Sequence, residues 1–395
     1  MKGARRQGLA ALALALLAIG AVAAVAAAQQ ELTVIAGWSG TEAEQFTPVL
    51  RAFEQETGIK ISYRVYRAED LSQILPAQFA ARRTIGDVIF TSFGWWIRDN
   101  ASHMVDLSDV VQGVPLTVDT VRVGGATYGV PYVVWVKPGF WYRKSFFQQH
   151  GLKEPETWGQ FLNLLDRIQG IGGVRNAIAS GDGVGWPLSD VTEHFLAAFG
   201  GAQLNLDLIA GKARWQDPRA RAAFEYYLVP LLQRKYFSDP IEWTQAAELW
   251  WKGDYGLYFM GNWLTGMVED PADLGVFPLP GASAVVGGTD YMFVPRYTRS
   301  ADAAKQLVAF MISKKGVEIR AAQGGKLSMR SDVGPEAYPP ADRALAAALQ
   351  GFSVIPDMDD TIGGAWQQAF WDQLKLLWVR PSALNDVLRT LDEKR

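Results

Sequence analysis

Cysteine is absent from the 395 residues, and histidine occurs only at His103, His150 and His194. The first absence excludes a disulfide framework, a thiol nucleophile and a lipid-bearing cysteine behind a leader. The second leaves no paired-His or Cys-based zinc motif, so neither a metal nor a cofactor is expected. Positive charge is also in short supply, with 38 Lys and Arg against 41 Asp and Glu, a formal charge of −3. Such a chain has no basic footprint for nucleic acid. Long apolar runs are confined to residues 9–25, preceded by Lys2, Arg5 and Arg6 and followed by Ala26-Ala27-Ala28. That layout is a secretory signal peptide over residues 1–28, with cleavage expected after Ala28. A membrane anchor is the rival reading, but no charged stop-transfer flank follows. Losing the leader leaves 35 basic against 41 acidic side chains, a charge of −6 on a soluble periplasmic or extracellular protein.

Aromatic residues are plentiful: they make up 12% of the chain and include 15 tryptophans, many beside Gly, Pro or Asn rather than inside periodic runs. In Tyr258-Phe259-Met260-Gly261-Asn262-Trp263 a buried strand breaks into a turn that presents an indole, with Asn262 suited to cap the next helix. The same break occurs at Ile35-Ala36-Gly37-Trp38-Ser39-Gly40 and at Phe90-Thr91-Ser92-Phe93-Gly94-Trp95-Trp96. Ligands of open α/β sheets collect outside such strand ends, so the three turns predict one aromatic-lined cleft.

The first strand, 32–35, is apolar without alternation, as in a parallel sheet covered on both faces. Thr41 and Glu44 have capping-box spacing before Phe46, Val49, Leu50 and Phe53, a helix closed by Gly58 and interrupted by Pro48. Strand 59–65, helix 74–81 and strand 87–91 complete a doubly wound β-α-β-α-β start. Residues 128–138 are extended and proline-bounded, a first crossing between lobes. Helices follow at 158–168 behind Thr157, at 193–199, 218–232 and 245–251. Residues 272–297 are extended again, 301–320 helical, and from Gly363 onward Trp366, Phe370, Trp371, Leu374 and Trp378 share a final helix. About 367 mature residues exceed one core. The expected division is 29–135 with 290–345 in an N-terminal lobe, and 136–289 with 346–395 in a C-terminal lobe.

Several segments together resemble the extracellular solute-binding proteins of carbohydrate ABC transporters, the group that includes maltose-binding protein. They are Ala52-Phe53-Glu54-Gln55-Glu56-Thr57-Gly58-Ile59-Lys60-Ile61, Gly86-Asp87-Val88-Ile89-Phe90, Val130-Pro131-Tyr132 with Trp141-Tyr142, the run from Tyr255 to Trp263, and Gly287-Gly288. The resemblance implies two doubly wound α/β lobes joined by hinge segments, a ligand in the cleft between them, and delivery to permease subunits driven by a cytoplasmic ATPase. A monomer that binds carbohydrate and performs no catalysis is expected. By position the resemblance puts Trp263, Trp366 and Trp186 on the sugar, with Ser39 and Gly40 in the first-strand loop and Trp95 and Trp96 just beyond the aromatic of the third.

A pyranose has a C–H face and a hydroxyl rim, so its site needs flat apolar surfaces and directional polar groups. Trp38 and Trp135 join the candidate surfaces. The candidate rim is Glu42, Glu44, Tyr66, Asp182, Asp190, Asn262, Asp290, Arg330 and Asp357, each at a loop or strand end, and Gly288 of the Gly287-Gly288 segment is a further candidate for ligand contact. Structural roles compete: Glu44 as capping-box partner, Asp190 as N-cap of the helix holding Glu193. Trp371, Trp378, Trp250 and Trp251 read as core. Gly181-x-Gly183-x-Gly185 lacks a strand-to-helix turn and reads as a flexible loop. The alternatives are a secreted glycoside hydrolase, which needs two carboxyls roughly 5–10 Å apart, and a binding protein for a non-sugar solute.

Overall fold

Short apolar strands, each followed by an amphipathic helix or a turn, build two main sheets that share the chain unequally, and a separate two-stranded pair. The computed structural model describes residues 30–183 and 185–395, so the expected leader and its cleavage point lie outside it. In chain order the strands are β1 (Glu31–Ala36), β2 (Lys60–Val65), β3 (Val88–Thr91), β4 (Val121–Val123), β5 (Ala126–Lys137), β6 (Gly139–Arg143), β7 (Asn176–Ala179) and β8 (Gly181–Asp182). They continue with β9 (Ile241–Glu242), β10 (Tyr255–Met260), β11 (Leu274–Phe277), β12 (Ala284–Phe293), β13 (Leu327–Ser328) and β14 (Ser353–Pro356).

The first sheet runs β13-β5-β12-β3-β1-β2, with β14 beside β12 and β4 beside β5; the second runs β11-β6-β10-β7. β1 pairs in parallel with β2 and with β3. The absence of alternation in β1 has the expected cause. Leu32, Val34 and Ala36 enter one core with Phe46, Val49 and Phe53, while Ile35 enters another with Leu71, Leu75 and Ile89. The second sheet carries its own larger core, built by Phe140, Phe161, Leu257, Phe259, Phe370 and Leu374 among others. The architecture is a two-lobe α/β fold.

The chain passes between sheets three times. Only Pro138 separates β5 from β6, residues 278–283 join β11 to β12, and Asp357 links β14 to the helix Met358–Ile362. The expected exchanges at 135/136 and 289/290 therefore fall inside β5 and β12, and β14 pairs with the first sheet although 346–395 was assigned to the other lobe. Sequence places such boundaries poorly because a hinge strand is continuous. At Gly139 (φ +141) an added Cβ would run into the Phe277 carbonyl, so the close approach of the first two crossings requires glycine there.

Local expectations differ in detail. The helix Gly40–Thr57 starts before Thr41, and its N-cap Ser39 makes no side-chain cap bond, so the Thr41–Glu44 capping box does not form. Pro48 is accommodated inside that helix without breaking it. Thr157 does form a capping box, with Gln160. Gly181 and Asp182, read as flexible loop, are strand β8, paired with β9.

His194 shows how dry the second core is. It is fully buried in the helix Trp186–Gly200, and its Nε2 accepts the Leu279 N–H at 3.0 Å. Burial pushes its pKa down to about 3. The unfolded chain binds a proton below about 6.5 that the folded chain refuses, so this group's contribution falls by about 1.4 kcal/mol per pH unit below that value. Buried carboxylates with raised pKa act in the opposite direction, so the test is a difference between two proteins. Urea unfolding at pH 7.5 and 4.5 should show wild type losing about 2–3 kcal/mol more than His194→Gln; identical pH dependence would refute the assignment.

Candidate functional site

The carboxyl ends of the parallel strands converge on one cavity. On the first lobe β1 leads to Gly37 and Trp38, β2 leads to Arg67, Ala68 and Glu69, and β3 leads to Ser92 and Phe93; all seven residues line one open cavity. The second lobe contributes Trp186 at the start of its helix, Trp243 at the head of the helix Trp243–Lys252, Trp263 after β10, and Trp371 from the helix Gly364–Val379. Trp135 and Lys137 on β5, Asp290 on β12, Lys326, and Asp357, Asp359 and Asp360 complete the lining with Glu42.

The indoles are set by packing. Trp263 stands edge-on to Trp135 at 6.2 Å and to Trp186 at 5.8 Å, and Trp186 to Trp243 at 5.5 Å. Trp38 is wedged against Phe46, Phe90 and Tyr132. Two glycines make room: a Cβ at Gly261 would strike the Trp263 ring, and one at Gly288 the Trp135 ring. Lys326 lies over the Trp263 face at 4.7 Å and Lys137 over Trp135 at 4.4 Å, both cation–π distances.

Every cation lining the cavity is already matched. Lys137 is buried between Asp190 and Asp357, 2.6 Å from the latter. Lys326 faces Glu42 at 3.7 Å and Asp290 at 3.8 Å. Arg67, of the first lobe, reaches Glu242 of the second at 3.3 Å across the mouth. Burial by itself would lower the Lys137 pKa, but Asp190 and Asp357 hold it well above the usual lysine value. Burial raises Asp190 to about 7 despite Lys137, with Asp357 adding to the rise. The two directions on one ion pair reflect an excess of acid, since a single ammonium serves several carboxylates. Asp359 and Asp360 are raised well above the usual carboxylate range by burial and by Asp357. Burial raises Glu42 and Asp290 as well.

Of the residues proposed from sequence, Trp38, Glu42, Trp135, Trp186, Trp263, Asp290 and Asp357 lie together on this cavity. Trp95 and Gly288 line an adjoining cavity that shares Trp135 and Asp357 with it. Others lie elsewhere. Trp366 is buried in the second core, stacked on Phe370 at 4.8 Å and near Trp215 at 5.8 Å, because its helix presents the opposite face from Trp371. Trp96 packs in the first lobe against Phe79 and Phe293. Asn262 caps nothing; its Oδ1 accepts the Val136 N–H at 2.9 Å and ties β10's end to the first crossing. Asp190 lies within its helix as the partner of Lys137, not at its N-cap. Arg330 is occupied by the Ile312 carbonyl and Asp332. Ser39, Gly40 and Glu44 are exposed, while Tyr66 and Asp182 are half-buried; none of the five borders the cavity. Sequence reasoning missed Lys137, Lys326, Arg67, Glu69, Trp243, Asp359 and Asp360. Trp371, read as core, is buried in a core cluster with Leu71, Leu75 and Phe93, and it also borders the cavity, where its Nε1 donates to Asp359 at 2.6 Å.

Two α/β lobes with an aromatic and acidic cavity at their strand ends define a cleft-binding protein. Residues 37–318 match the family of bacterial extracellular solute-binding proteins, and the chain belongs to that family. An ABC transporter extracellular-binding protein of Pyrococcus horikoshii is 51% identical over 370 residues, 92% of this chain and 88% of that protein. The osmoprotective compounds-binding protein GgtB of Synechocystis is 22% identical, covering 85% of this chain and 86% of that one. Among solved structures the bacterial solute receptor AcbH aligns with a TM-score of 0.82 at 17% identity, over 92% of this chain and 98% of that chain. Maltose-bound T. maritima MalE3 aligns with 0.75 at 19%, over 92% and 98%. The protein is therefore the solute-binding component of an ABC transporter and not an enzyme, which removes the glycoside-hydrolase alternative. No helix among the described residues is long and apolar enough to cross a membrane.

Replacing Lys137 by methionine removes the one ammonium among the described residues in contact with Asp190 and Asp357. Breaking a buried pair typically costs about 3–5 kcal/mol. Groups with raised pKa stabilise the fold below their unfolded pKa and lose that contribution as pH rises through the folded value. Lys137 holds the Asp190 pKa down, so without it Asp190 takes up its proton at a higher pH still, and the Lys137→Met deficit should be larger at pH 7.5 than at pH 5 in denaturant unfolding. A deficit that grows on acidification would contradict this.

Proposed function

We propose that the protein captures a mono- or oligosaccharide outside the cytoplasm by closing its lobes and delivers it to permease subunits of an ABC importer, acting as a monomer. One observation carries the sugar reading: six indoles, Trp38, Trp135, Trp186, Trp243, Trp263 and Trp371, surround a single cavity whose polar groups are mostly carboxylates. Indole faces suit the C–H surface of a pyranose, and carboxylate oxygens accept from hydroxyls. The cations argue against an anionic solute, because Arg67, Lys137 and Lys326 each face a carboxylate already. An amino acid or anion would need an uncommitted one.

Trp263 is the proposed main stacking surface, with Trp186 and Trp135 at its sides. Glu42, Asp290 and Asp357 are the proposed hydroxyl acceptors. Calorimetry against a panel of neutral mono- and disaccharides should find saturable binding with a shift in tryptophan fluorescence, and no binding to amino acids or phosphate. Trp263→Ala should weaken the bound sugar by about 2–4 kcal/mol, the loss of a buried aromatic anchor. An unchanged Kd in a folded variant would remove Trp263 from the site, and a panel without any binding sugar would overturn the reading.

A further inference from the structure

We propose that Glu193, Asp357 and Asp359 form a site for one hard divalent cation, of the Ca²⁺ or Mn²⁺ class, in the floor of the second lobe. All three are buried, and one oxygen from each lies within 4.8 Å of the other two. Metal–oxygen bonds of about 2.1–2.5 Å give ligand spacings in that range. The second observation is Glu193 itself. Its Oε2 accepts the Met358 N–H at 2.8 Å, while its Oε1 is buried without a donor. Lys137 does not relieve it, since its bonds go to Asp190 and Asp357.

The surroundings have the form of an outer shell. Asp359 is fixed by the Ser189 hydroxyl on Oδ1 at 2.8 Å and by the Trp371 indole on Oδ2 at 2.6 Å. Asp357 Oδ1 accepts the Asp360 N–H at 3.0 Å. Groups that orient ligands in this way strengthen metal binding. An all-oxygen set selects hard cations over zinc. Glu193 and Asp357 are 164 residues apart in sequence, and the three donors lie on two helices and the hinge residue between β14 and the second of them, so no spacing motif announces them; the motif-based expectation of no metal addresses only Cys and His sites. A bound cation would tie the helix Trp186–Gly200 to the third crossing and hold Asp359 and Trp371 beside the cavity. None of this depends on the solute being a sugar.

Tb³⁺ tests the site directly, because Trp371 touches one of the ligands and can sensitise its emission. After chelator treatment, the full-length secreted protein excited through tryptophan should show saturable Tb³⁺ emission that Ca²⁺ displaces. Glu193→Gln should weaken Tb³⁺ binding by about tenfold or more, with folding confirmed by circular dichroism; Asp359→Asn replaces it if that variant does not fold. In parallel, Ca²⁺ or Mn²⁺ should raise the Tm of wild type and not of the variant. Emission that is absent, not displaced, or equal in wild type and variants overturns the site, as does a metal-independent Tm; protons would then balance these carboxylates.

Discussion

The Lys137 ammonium is the interaction on which the rest of this structure depends. It ends β5, one residue before the chain leaves the first sheet, and it is buried between Asp190 of a second-lobe helix and Asp357 of the third crossing. Taking such charges out of water costs several kcal/mol per ion, which only good geometry offsets. Moving either strand at the hinge would separate the charges in a low-dielectric setting, so the pair fixes the register of two crossings against one helix. The same lysine lines the cavity. Hinge and binding surface are thus one set of residues.

The cavity inherits its chemistry from where strands stop. Three parallel strand ends of the first lobe and β10 of the second deliver backbone turns to the cleft, and an indole or a charged group follows most of them. Gly261 and Gly288 let the Trp263 and Trp135 rings lie directly on the main chain, which restricts their rotation before any solute arrives. Preorganised aromatic surface lowers the ordering cost of binding. The charged rim is preorganised too, with Lys326 held between Glu42 and Asp290.

Much of the fold was legible, and about half of the site. β1 could be read as covered on both faces because its apolar run lacks alternation, and Trp263 as a cleft residue because it follows a strand that breaks at Gly261. Trp366 and Trp371 could not be separated. Five residues apart on a helix that is apolar on both sides, they point in different directions, and only the tertiary packing decides which side meets the cleft. Lys326 and Trp243 carry no local mark, since their place in the site comes from long-range packing. Lys137 does carry one, a single charge closing an apolar strand before Pro138, but from sequence that stretch reads as a crossing between lobes and its charge as no part of the site. The hinge boundaries failed for a related reason: β5 and β12 continue through the points where composition changes.

The contact that spans the mouth bears on how such a cleft can be used. Arg67 and Glu242 meet at 3.3 Å, with 42% and 39% of their side chains exposed. A pair that wet is worth at most about 1 kcal/mol, too little to keep two lobes together. The buried links at the hinge, by contrast, are shielded from water, with the side chains of Lys137, Asp190 and Asp357 at most 4% exposed. A solute that touches both walls, Trp38 and Glu42 on one side and Trp186 and Trp263 on the other, adds contacts that exist only when the lobes approach. On the proposed mechanism, its differential affinity for that arrangement would set the open–closed balance. On the lobe-closing mechanism proposed above, a latch this weak would leave that balance to the solute, and lobe position could then report occupancy to the transporter.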